Sequence, residues 1–103
     1  MSKPYYADYV NHALRFYCRN TNPEMVHQFR TASEEKNWHS CRKVVEKLDV
    51  KKRELILRVY RAPATSLPEA VYSVQREMHL CLDFIWEVIG EVSHRVAKTR
   101  GIA

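Results

Sequence analysis

Two histidine–cysteine pairs of identical spacing, His39-Ser40-Cys41 and His79-Leu80-Cys81, carry the side chains best suited to chemistry. Four such donors form the soft set that holds zinc. Their spacing argues against it, because residues two apart on a helix point in different directions. Cys41 also falls on an apolar stripe that needs it for a core. Cysteine–histidine catalysis requires a third group to orient the imidazole, and no motif supplies one. No Ser, Asp or Glu stands in a hydrolase pattern. The two glycines, Gly90 and Gly101, are too few for a phosphate-cradling loop. The expectation is a protein without metal or cofactor and without enzymatic activity.

The remaining chemistry is ionic. A net charge of +5 over 103 residues favours a polyanionic partner. Lys51, Lys52 and Arg53 crowd the start of one segment, where positive charge opposes a helix dipole. Arg76 follows, and Arg95, Lys98 and Arg100 gather near the end. These seven are the candidate nucleic-acid contacts. A second set has the opposite sign: Asp83, Glu87 and Glu91, with Trp86 among them, form a candidate surface for a protein partner. Trp86 itself is expected in the core, or else as an anchor in that surface.

Helices must position both sets. Tyr6, Val10, Ala13, Leu14 and Tyr17 make one apolar stripe over a helix from Tyr5 to Arg19, widened by Tyr9 and Phe16. Its heavy aromatic load suits a small core, or a stacking platform for RNA bases. Asn20-Thr21-Asn22-Pro23 reads as a turn, and Glu24 to Phe29 as a short helical turn. Thr31 and Glu34 form a capping box for a helix from Ala32 to Leu48, with Trp38, Cys41, Val44, Val45 and Leu48 inward. Its outer face, which includes Glu35, Lys36, Arg42, Lys43 and Lys47, reads as solvated. Asp49 caps a helix from Val50 to Arg61, with Leu55, Ile56 and Val59 inward.

The next stretch, Ser66 to Ile89, organises the rest. Ser66 and Glu69 form another capping box, with Pro68 in the first turn. Val71, Val74, Met78, Leu80, Ile85 and Val88 then fall at the inward positions of a helix-turn-helix, with the corner near His79. A plain helical hairpin gives the same pattern. The last helix runs from Leu82 to Thr99. Gly90 in its middle weakens it by ~1 kcal/mol relative to Ala, which predicts a close packing contact or a bend there.

The fold class is therefore all-α: one domain over residues 1–103, a five- to six-helix bundle with a helix-turn-helix within about residues 50–100. Three cysteines cannot all pair within the chain, which favours a reducing compartment. No signal-peptide run and no membrane span is evident, so a cytoplasmic location is expected.

Leu48 to Tyr60, LDVKKRELILRVY, resembles the start of region four of bacterial sigma factors. Phe84 to Ile102, FIWEVIGEVSHRVAKTRGI, is similar to the close of small proteins from phages and conjugative elements of Firmicutes, as are the opening YYADYVNHALRFYCR and Asn37-Trp38. The resemblance implies an all-α, sigma-region-four-like protein that regulates mobile-element transcription. The expected partner is duplex DNA, with RNA polymerase a further candidate, and the sequence leaves the oligomeric state open, a dimer included. The departure lies in the last helix. Leu82, Asp83, Trp86 and Glu87 are outward at the start of a recognition helix, with Glu91 one turn later, and carboxylates are repelled by phosphates. The alternative is accordingly a mobile-element inhibitor of a host protein, such as an anti-CRISPR protein or an RNA polymerase blocker, docking through Asp83, Trp86, Glu87 and Glu91. A third class, an RNA-binding or purely structural bundle, rests on the aromatic residues of the first helix.

Overall fold

The computed structural model describes residues 4–21 and 29–103. Among them are five helices and no strand: α1 (Ala7–Arg19), α2 (Ala32–Val45), α3 (Val50–Arg61), α4 (Leu67–Met78) and α5 (Leu82–Arg100). The expected helical turn at residues 24–29 lies, but for Phe29, outside the described residues. Phe29 itself packs against the rings of Phe16 and Trp38. No described helix is long and apolar enough to cross a membrane.

Local chemistry places the helix starts. The Thr31, Asp49 and Ser66 side chains accept from the backbone N–H groups of Glu34, Lys52 and Glu69, at 3.1, 2.9 and 3.3 Å. Each satisfies a donor that the first turn leaves orphaned. The two capping boxes close one residue earlier than expected. Glu34 Oε1 accepts from the Arg30 backbone N–H, and Glu69 Oε2 from that of Thr65, rather than from the capping residue itself. α1 begins two residues later than expected, because Tyr5 and Tyr6 form a turn, and α2 ends at Val45, three residues short of Leu48.

α1 packs against α2, α3 and α5, and α4 against α3 and α5. The core collects one stripe from each: Leu14 and Cys18, Cys41 and Val45, Leu55 and Ile56, Val71 and Val74, Ile85 and Val92, all nearly or fully buried. Side-chain hydrogen bonds also join the helices. Tyr60 Oη donates to Asn11 Oδ1 at 2.8 Å, joining α3 to α1, and Arg61 Nε donates to the Cys18 carbonyl at 2.6 Å.

α4 and α5 are separated by His79, Leu80 and Cys81. His79 adopts the left-handed conformation at φ 54°, the cap that usually takes Gly. Leu80 turns back onto the core. α5 is then unbroken to Gly101, whose φ of 87° ends it.

Two expectations are corrected. Trp86 is not a core residue: it is 40% exposed. A Cβ added at Gly90 would meet nothing within 4 Å, so no close contact among the described residues accounts for that glycine.

Candidate nucleic-acid interface

The charged run at the start of α3 makes contacts within the chain, with Lys51 exposed and Lys52 and Arg53 half-buried. The Lys51 ammonium lies 5.3 Å from the centroid of the Phe84 ring, at the start of α5. Lys52 Nζ is 3.4 Å from Glu91 Oε2. Arg53 Nη2 donates to the Leu48 carbonyl at 3.3 Å, and its Nε is buried without a partner. Three cations that look in the sequence like phosphate ligands thus each hold a group of the chain itself. The unfavourable charge at the α3 N-terminus is offset by these contacts with α5 and the α2–α3 turn.

The other four candidates divide. Arg95, Lys98 and Arg100 line two adjoining clefts between α2 and α5. Arg76 is exposed on α4, lines neither cleft and makes no ion pair among the described residues.

The first cleft, of about 330 Å³, is walled by Lys43 and Lys47 of α2 and its last turn and by Arg95 and Lys98 of α5. The second, of about 370 Å³, continues from Lys43 and Thr99 past Lys36 to Arg100. Early residues of α2 face the end of α5 and later ones its middle, so the two helices run antiparallel. Lys36, Lys43 and Lys47 recur at seven and four residues, which sets them on one face of α2 and its last turn. Arg95 and Lys98, three apart, face them.

The position of α5 is fixed by bonds at both ends of this groove. Arg100 Nε donates to Asn37 Oδ1 at 2.7 Å, while Asn37 Nδ2 donates to Tyr9 Oη at 2.9 Å, so one amide joins α1, α2 and α5. At the other end Glu91 receives both Lys52 and Arg95, the latter at 2.9 Å. Lys36, Lys43, Lys47 and Lys98 are exposed and make no ion pair among the described residues. Four uncompensated ammonium groups on one groove make a local field suited to phosphates. Among the described residues that line it, the only acidic side chain is Glu35, 3.9 Å from His39.

Chain-wide, the likeness to known proteins adds nothing further. No protein-family model, no curated protein and no solved structure matches this chain.

Sequence reasoning assigned Lys36, Lys43 and Lys47 to a solvated face. The signal that marks them is their seven-and-four spacing, but its meaning depends on which helix lies alongside. The acidic set divides as well. Asp83, Trp86 and Glu87 are exposed, whereas Glu91 is half-buried and already neutralised by two cations.

The His–Cys pairs are also placed. Cys41 is buried and Cys81 exposed. His39 lies at the surface with its ring edge-on to Trp38 at 5.2 Å. Burial pushes the thiols of Cys18 and Cys41 up to about 12, which keeps them protonated and unreactive at neutral pH.

Proposed function

We propose that this chain is a regulator from a mobile element that grips duplex DNA through the cationic groove between α2 and α5. The observation that carries the reading is the convergence of Lys36, Lys43, Lys47 and Lys98, all without intramolecular ion pairs among the described residues, on one groove. The α4–α5 pair with its left-handed corner at His79 supports a helix-turn-helix of the sigma-region-four kind. In that reading the start of α5 is a poor reader of bases, since Asp83 and Glu87 face outward. The grip therefore falls on the C-terminal half of α5 and on α2, and affinity is dominated by backbone phosphates.

The test is an anisotropy titration of a labelled duplex at several salt concentrations. Four phosphate contacts give a slope of log affinity against log salt of roughly −3 to −4. Replacing Lys43, Lys47 and Lys98 together by Glu should abolish binding. No binding by micromolar wild-type protein at about 50 mM salt ends the proposal.

A second reading, a blocker of a host protein such as RNA polymerase or a defence nuclease, takes support from one observation. Trp86 is exposed between the carboxylates of Asp83 and Glu87. Retention of a stoichiometric host protein, lost on Trp86→Ala, would favour it. The neutralised Glu91 leaves two free carboxylates on this face, few for imitating a phosphate track.

A further inference from the structure

Gly90 stands in the middle of the longest helix without an internal reason to be glycine. A helix interior loses about 1 kcal/mol to Gly relative to Ala. Two features that normally offset that loss are missing, and the helix does not break there. The only glycine with positive φ is Gly101. No described atom approaches the place where a Cβ would stand. α5 passes through the position as unbroken helix. The missing side chain leaves the helix backbone bare on its solvent side.

The surroundings of that bare backbone are patterned. Asp83, Glu87, Gly90, His94 and Lys98 recur at four, three, four and four residues, so they form one exposed line along α5. Trp86 borders the line and is 40% exposed. Together with Tyr6, Ala7, Leu67 and Ile89 it walls a cleft of about 190 Å³ that opens beside Gly90. The line is acidic on the N-terminal side of Gly90, and it carries His94 and the Lys98 ammonium on the C-terminal side. A surface of this kind is its own complement when turned end for end. Under a two-fold axis through Gly90, each residue before it meets the residue equally far after it in the second copy. Trp86 then faces His94 of the second copy, and Asp83 comes within one residue, about 1.5 Å along the axis, of Lys98.

We propose that the exposed line through Asp83, Glu87, Gly90, His94 and Lys98 is the contact face of a homodimer in which two copies of α5 cross antiparallel at Gly90. Glycine at the crossing lets the two backbones approach closely, and the Trp86 rings flank the crossing and exclude water from it. The pairing of Asp83 with Lys98 sets the antiparallel direction, because a parallel pair would place like charges together. This assignment does not rest on DNA binding. Lys43 and Lys47 lie outside the line, and Lys98 alone belongs to both the line and the groove wall, so changes at Lys43 and Lys47 test the groove separately from the dimer.

Sedimentation of the full chain, without DNA, tests the dimer. Wild-type protein is expected to be dimeric at tens of micromolar. Gly90→Leu should raise the dissociation constant at least about tenfold, with an unchanged helical signal, since a Cβ at this position meets nothing within 4 Å in the monomer. Gly90→Ala separates folding from association: it should stabilise dilute monomer and weaken the dimer. Asp83→Lys should give monomer, and Asp83→Lys combined with Lys98→Asp should restore dimer. Lys43→Glu with Lys47→Glu should leave the dimer intact while abolishing DNA retention, so the two proposals fail separately. Wild-type protein that stays monomeric at millimolar concentration, alone or bound to a host protein through Trp86, overturns the dimer. So does a Gly90→Leu variant that associates like wild type.

Discussion

Lys52 Nζ lies 3.4 Å from Glu91 Oε2 and ties the first turn of α3 to the middle of α5. The same carboxyl group receives Arg95 at 2.9 Å. One acidic side chain thus restrains two cations, of which Arg95 lines the α2–α5 groove. Both partners are about a third exposed, so the Lys52 pair contributes little to stability after solvent screening. Its larger effect is on the field.

Glu91→Gln removes that restraint. The expected outcome is duplex-DNA affinity raised about fivefold at low salt, with a steeper salt slope, because two further cations become available to phosphates. Thermal stability should change by less than about 1 kcal/mol. Unchanged affinity in the anisotropy titration would show that the groove is not where DNA lies.

His79 bears the left-handed corner between α4 and α5 at φ 54°. A non-glycine residue there holds about 1 kcal/mol of backbone strain. His79→Gly should stabilise the protein by about 0.5–1 kcal/mol and raise the melting temperature by roughly 3–6 °C. His79→Val should do the reverse, because a β-branched side chain resists positive φ. A melting curve that ranks Val above Gly would show that the corner is formed differently.

The three thiols should separate in a chromogenic thiol assay at neutral pH. Cys81 reacts at once, whereas Cys18 and Cys41 react only as the protein unfolds. The same burial predicts alkaline instability. Both thiols ionise near 9.0 when exposed, and burial pushes them up to about 12 in the folded protein. Their contribution is fully present below pH 9 and is lost as pH rises towards 12, since only the unfolded state releases those protons there. Replacing both by Ala lowers stability at pH 7 through lost packing, and it should flatten the decline above pH 9 in denaturant titrations.

An acid limb is expected at the α4 cap. Hydrogen bonds from the Thr65 hydroxyl and backbone N–H hold the Glu69 carboxyl below its ordinary pKa. A lowered folded value means stability that is present above the unfolded pKa and lost as pH falls through the folded one. Glu69→Gln should reduce the slope of stability between about pH 5 and pH 3. Ser66→Ala, which removes the other half of the cap, should cost about 1 kcal/mol at every pH. Equal slopes for wild type and Glu69→Gln would remove the carboxyl from the cap.

The helices were legible because their signals are local. Thr31, Asp49 and Ser66 each sit one residue before an apolar repeat, and each accepts from the third residue on, as the spacing predicts. Core stripes such as Cys41, Val44, Val45 and Leu48 follow from the helical period alone. The site was less legible because charges take meaning from partners far along the chain. Lys52 and Glu91 are separated by 39 residues, and nothing near either predicts the other. The same holds for Lys43 and Lys98, which become one groove only when α2 and α5 lie side by side. For Trp86 the sequence left two places open, the core or an outward anchor in a partner surface. The period of α5 places it at the edge of the buried stripe, between Ile85 and the exposed Glu87.

The arrangement of α1 sets the order of events during synthesis. Its apolar stripe packs on α2, α3 and α5, and α5 is the last of the five described helices in chain order. During synthesis α1 precedes the other four described helices, so part of its stripe stays uncovered until α5 has been made. Closure of the core is therefore a late, long-range step. A stalled or truncated nascent chain that lacks α5 exposes a sticky aromatic helix, which marks it for chaperone capture or degradation.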